Sequence, residues 1–187
     1  MTNATKKPGG WSAVRGQLAT WEKPELLALL KDLYEVNAEN RDFIHACSKK
    51  DEDGSETLER YRGKIVVQFF PARGDGELKL EKARQAIRDY QKATGNISGT
   101  AELLLTYVEN GTKFTHLYGD MDERFYDSVE SALEELATLL RSEARRMYQQ
   151  FSDRLAKVEQ MADGIGWGFN DFVKDVVGEL EEKLGCR

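Results

Sequence analysis

The stretch Phe125-Tyr126-Asp127-Ser128-Val129-Glu130-Ser131-Ala132-Leu133-Glu134-Glu135-Leu136-Ala137-Thr138-Leu139-Leu140 decides the fold class. Phe125, Tyr126, Val129, Leu133, Leu136 and Leu140 recur every three to four positions, which places them on one face of a helix and leaves the carboxylates on the other. Asp122, just upstream, supplies the side-chain oxygen that a helix start needs for its unpaired N–H groups. A strand would need alternation of apolar and polar residues, and no stretch of the chain sustains it. Only Phe114 to Tyr118 reads as locally extended.

Outward from this helix the same spacing returns. Upstream, Leu26, Leu27, Leu30, Leu33 and Tyr34 follow Pro24, a residue tolerated in a first helical turn. Asn37 caps the next helix, through Phe43, Ile44 and Cys47, and a short helix around Val14 and Leu18 precedes both. Leu58, Tyr61, Ile65 and Phe69 mark another, ended by Pro71 and the glycines Gly74 and Gly76. Leu80, Ala83, Ile87 and Tyr90 then run to a stop at Gly95, and a helix capped by Thr100 carries Leu104, Tyr107 and Val108 to a stop at Gly111. Downstream, a break within Arg141 to Arg145 is followed by Tyr148, Phe151, Leu155 and Val158. The last helix carries Phe169, Phe172, Val173, Val176, Leu180 and Leu184 before Gly185. The expectation is an all-α chain of eight or nine helices. They would form an irregular multi-helix bundle or a short stack of antiparallel helical hairpins, with residues 1–10 as a mobile tail and 11–187 as a single helical domain.

The 187 residues are 40% hydrophobic and 32% charged, with 27 basic and 33 acidic side chains and a formal net charge of -6. That balance excludes a disordered polyelectrolyte and argues against a dedicated nucleic-acid binder. No segment reaches the roughly 18 apolar residues of a membrane span, and no secretory leader is legible, so a cytoplasmic protein is expected. A reducing compartment disfavours pairing of Cys47 with Cys186; Cys47 reads as a small buried residue.

Charge is unevenly distributed. Arg60 to Lys92 holds nine cations against four acids, whereas Glu109 to Glu135 holds eight acids against two cations. Such segments attract one another, a second copy, or a partner. The basic stretch 60–92, with Lys82, Arg84 and Arg88, is also the place where phosphates would be met if nucleic acid were bound. His116, Asp120, Asp122 and Glu123 form the one cluster with metal or acid–base chemistry, and a metal-assisted hydrolase is the enzymatic alternative they support. Against it, Asp122 and Glu123 also suit a helix N-terminus. The acidic run Asp51-Glu52-Asp53-Gly54 fails as a calcium loop, because its register puts Lys49 and Arg60 where oxygen ligands are required. Gly164, Gly166 and Gly168 lack the preceding strand of a phosphate-cradling loop. They read as a tight inter-helix turn packing Trp167 and Phe169 against neighbouring helices. His45 reads as a packed or partly exposed histidine, and no cofactor signature is present.

Three stretches carry a resemblance: Leu78-Lys79-Leu80-Glu81-Lys82-Ala83, then Tyr107-Val108-Glu109-Asn110-Gly111 continuing to Gly119-Asp120-Met121-Asp122-Glu123 and Phe125-Tyr126, and Gly164-Ile165-Gly166-Trp167-Gly168-Phe169. Together they resemble a bacterial family of helical proteins known only as a domain of unknown function, from about Leu26 onward. The resemblance implies a small bacterial helical protein and transfers no catalytic residue. Members often carry histidine where this chain has Asn170, so a function built on that imidazole is not expected here. The leading expectation is a non-enzymatic protein-interaction or scaffold module, with a protein partner or a homo-oligomer, and with Trp167 beside the charged clusters among its candidate binding residues.

Overall fold

In the computed structural model the described residues are 10–48, 54–73, 78–143 and 145–185, without the side chains of 143, 145 and 146. Several expectations therefore lie outside the described residues: most of the N-terminal tail, Asp51 to Asp53, the Gly74 to Gly76 stop, part of the break near Arg145, and Cys186. Among the described residues the chain forms nine helices and no strand, so it is all-α. They are α1 Trp11–Leu18, α2 Lys23–Val36, α3 Ala38–Ser48, α4 Ser55–Phe69, α5 Leu80–Thr94, α6 Ile97–Tyr118, α7 Glu123–Glu143, α8 Arg145–Ala162 and α9 Phe169–Leu184. None of them is long and apolar enough to cross a membrane.

The backbone separates into two compact units, Met1–Ser48 and Lys49–Arg187, where the sequence read as one domain from residue 11. In the first unit, α2 starts on a reciprocal cap in which the Glu22 N–H donates to Glu25 Oε2 at 2.7 Å. Asn37 caps α3 as expected, its Oδ1 accepting the Asn40 N–H at 2.7 Å. Tyr34 and His45 join the two helices through a 2.9 Å hydrogen bond. α1 and α2 bury no residue, and α3 buries Ala46; Cys47, read from the sequence as buried, is exposed.

The second unit is built around α6, which packs against α4, α5, α7 and α8, while α9 packs on α7 and α8. The α7 stripe is buried throughout, as are Tyr148, Phe151, Leu155 and Val158 of α8 and Phe169, Val173, Val176 and Leu180 of α9. Two expected helix limits were misplaced. The cap of α6 is Asn96, whose Oδ1 accepts the Gly99 N–H at 2.9 Å; Thr100 lies buried inside the helix, its hydroxyl donating back to the Asn96 carbonyl. Nor does Gly111 end α6. A Cβ there would stand 2.6 Å from Val129 Cγ2, so the glycine serves the close approach of α7, and the helix continues through the segment read as extended.

Candidate functional site

Two of the resembling stretches, more than thirty residues apart in sequence, meet around one side chain. Tyr126 lies in the first turns of α7, fixed there by Asp122, whose Oδ1 accepts the Phe125 N–H at 3.0 Å. Its hydroxyl donates to Asp120 Oδ1 at 3.0 Å, accepts the Met121 N–H at 3.4 Å and lies 2.8 Å from Thr115 Oγ1. Thr115 in turn donates to the Gly119 carbonyl at 3.1 Å, so the end of α6 and the loop into α7 are tied to one phenol. Burial holds the Tyr126 hydroxyl above the ordinary phenol range, and the Asp120 carboxylate adds to this, so it remains a donor over the working pH range.

The turn between α8 and α9 closes over the same ring. Gly164 and Gly168 take positive φ, and Trp167 itself has φ +60°, a left-handed conformation that costs a bulky side chain about 1 kcal/mol or more. The Trp167 ring stacks on Tyr126 at 6.5 Å and 25°, and Phe169 meets Tyr126 from the start of α9 at 5.3 Å. Phe169 is fully buried, but Trp167 is 62% exposed. Both rings therefore meet the neighbouring helix α7 at Tyr126, Phe169 from the interior and Trp167 from the surface, along which the left-handed turn directs the indole. Asp120 reaches the same turn, with Oδ2 3.4 Å from where a Cβ on Gly166 would sit. From Tyr126 the ring contacts continue through Phe125 and Phe114 to exposed Tyr118 and to Phe70, over which Lys113 Nζ sits at 5.2 Å.

The other candidates divide. Asp120 and Trp167 come together, and Asp122 is a helix cap. His116, in the last turn of α6, and Glu123, in the first turn of α7, are exposed. Among the described residues no three His, Cys, Asp or Glu side chains are grouped so as to hold a metal ion. Lys82 is exposed, Arg88 bonds Glu81 and Gln85, and Arg84 is turned inward, its guanidinium paired with Glu135 and placed over the Tyr107 ring. The basic and acidic segments therefore meet at Arg84–Glu135. A groove of about 420 Å³ between α5, α6 and α7 has Ile87, Leu104 and Leu139 among its lining residues, but its cations and carboxylates are committed: Arg84 to Glu135, Arg88 to Glu81, and Glu134 to Arg141.

Compared with known proteins, the chain matches no family model, no curated protein and no solved structure. The site therefore has to be read from its own chemistry. An exposed indole over a buried phenol, with a carboxylate alongside, attracts a cationic group through the ring face and through charge. It supplies no nucleophile paired with a base.

The role of the Tyr126 hydroxyl was missed in the sequence, where Tyr126 reads as one member of an apolar stripe. Its polar surroundings Thr115 and Asp120, eleven and six residues away, were the available signal. Tyr126→Phe should lower the stability of this unit by about 1–2 kcal/mol, because the Met121 N–H and the Asp120 carboxylate both lose the phenol as a partner. Thermal melting measures the loss, and faster amide exchange at Met121 locates it.

Proposed function

We propose that the protein is a non-enzymatic protein-interaction module whose contact surface is centred on Trp167 and bordered by Asp120. The observation that carries this reading is the exposed indole kept in an unfavourable backbone conformation on a buried aromatic support. Its Gly-Trp-Gly setting and the Tyr126 stack hold the ring in place before any partner arrives, which lowers the entropy lost on binding. Tryptophan is also the residue most enriched among those that dominate interface energies. The neighbouring Asp120 carboxylate favours a partner presenting a basic side chain, and the net charge of -6 favours the approach of a basic segment. An exposed free thiol at Cys47 fits a reducing cytoplasm.

The test is affinity capture from the source cells, followed by titration of the captured protein. Trp167→Ala should weaken binding about 30-fold or more, the effect of losing a dominant interface residue, while Trp167→Phe retains part of it. Recovery of the same proteins at unchanged affinity by Trp167→Ala, or of chaperones alone by the unaltered chain, refutes the reading.

A further inference from the structure

α5 and α7 each pack on α6 but not on one another, and the groove of about 420 Å³ between them falls within the size range of small-molecule sites. It shares no lining residue with the Trp167 surface. Arg84, Ile87, Arg88 and Gln91 line it from α5, and Ser131, Glu134, Glu135 and Thr138 from α7, each set spaced by three, four and seven positions and so presented on one helical face. The surface of the groove is more apolar than polar, with Ile87, Leu104 and Leu139 in it.

The segregated charge of the sequence becomes, in this groove, a polarity from wall to wall. Both cations of the lining, Arg84 and Arg88, stand on α5, and both carboxylates, Glu134 and Glu135, on α7. A ligand with one charge gains from one wall and loses to the other, whereas a ligand with both charges gains from both. The apolar surface between the walls favours an apolar body on such a ligand. Arg88 is paired with Glu81 of its own helix and Glu134 with Arg141 of its own, and the Arg88 and Glu134 side chains are 49% and 53% exposed. Such surface pairs contribute little and exchange readily for another partner. Only Arg84–Glu135 spans the groove. There the guanidinium lies over the Tyr107 ring, and its Nη1 is buried without a hydrogen-bond partner among the described residues. Unpaired buried donors are rare, and an acceptor beside Arg84 is the partner this one lacks.

We infer that the groove between α5, α6 and α7 binds an apolar zwitterion, an amino acid or dipeptide in size, with its carboxylate on Arg84 and Arg88 and its ammonium group on Glu134. Charge-assisted hydrogen bonds at the two ends fix its direction across the groove, and the apolar side chain lies over Ile87, Leu104 and Leu139.

The probe is the dipeptide leucylphenylalanine with free termini, titrated into the full chain carrying carbon-labelled methyl groups. Saturable shifts of the Ile87, Leu104 and Leu139 methyl signals are expected, with a Kd in the millimolar range or below. The same dipeptide acetylated and amidated at its ends keeps the apolar body and loses both charges, and it should bind at least about tenfold more weakly. Arg88→Glu places a carboxylate on the cationic wall. It should cost the free dipeptide about tenfold in affinity and leave the capped one unchanged. Thr138→Trp, at the exposed rim on α7, should fill the groove and abolish the shifts while far-UV circular dichroism stays the same. Methyl signals that do not move at about 10 mM free dipeptide overturn the inference. So do equal affinities for the free and capped forms, or shifts that persist in both Arg88→Glu and Thr138→Trp.

Discussion

Phe169→Ala is expected to lower the stability of the Lys49–Arg187 unit by about 3–5 kcal/mol, the usual cost of emptying a fully buried phenylalanine site. For a unit of this size that corresponds to a fall in Tm of roughly 10–20 °C by calorimetry. Phe169 is the first residue of α9, held there by the left-handed Gly168, and its ring fills the space beside Tyr126 with no exposed surface. The cavity would therefore open beneath the ring that carries Trp167, and the site should loosen with the fold. Phe169→Leu, which keeps most of the volume, should lose much less. A loss under 1 kcal/mol for the alanine variant would show that the turn between α8 and α9 does not depend on this contact.

The second large effect is expected at Glu102, where three helices share a charge network. Glu102 of α6 accepts from Arg62 of α4 at 2.9 Å and from Arg154 of α8 at 2.5 Å. Arg154 also makes a paired contact with Glu109, at 2.7 and 2.6 Å, and Arg62 donates to Thr106 at 2.8 Å. Burial alone would raise the Glu102 carboxyl, but the hydrogen bonds from Arg154 and Arg62 outweigh it and hold the group below the usual carboxylate range. Glu102→Ala leaves two half-buried guanidinium groups short of a partner. About 2–3 kcal/mol should be lost at pH 7, below the fully buried figure because these side chains remain partly in contact with water.

The pH dependence has a definite sign. A carboxyl whose folded pKa is depressed contributes its stability in full above the unfolded value of about 4.3, and loses it as pH falls through that value and then through the folded one. The arginines stay charged throughout. The gap between the natural chain and Glu102→Ala should therefore be widest near neutrality and should shrink below about pH 4. Urea denaturation at pH 7 and pH 3 measures both gaps, and equal values would remove the assignment of Glu102 as the centre of the network.

How much of this was legible in the chain differs by element. The α7 and α8 stripes could be read residue by residue because side-chain burial there follows the helical period, and a period is a local property. Asp122 and Asn37 were legible as caps for the same reason, each lying three residues from the N–H it accepts. Thr100 and Gly111 misled because their residue types fit two roles. Threonine can cap or can back-bond inside a helix, and glycine can stop a helix or admit a neighbour, and only the position of Asn96 or Val129 chooses between them. In α2 the period was legible but its surroundings were not, since a stripe states which face is apolar and not what covers it.

The candidate site follows the same division. Asp120 and Trp167 stood out by residue type, but their meeting at Tyr126 depends on the packing of α7 against α9 and on a turn with consecutive left-handed residues. The Arg62–Glu102–Arg154 network had no local trace, because its partners are forty to fifty-two residues apart and their charges look like ordinary solvated ones along the chain. The amino-acid order by itself determined that this protein is helical, where most helices begin, and which faces are apolar, because hydrogen bonding and side-chain spacing act within one or two turns. Only the tertiary structure decided that Arg84 turns inward to Glu135, that Trp167 remains at the surface, and that the described residues of the first unit bury a single alanine. Each of these depends on which side chain from a distant helix arrives to share or exclude water.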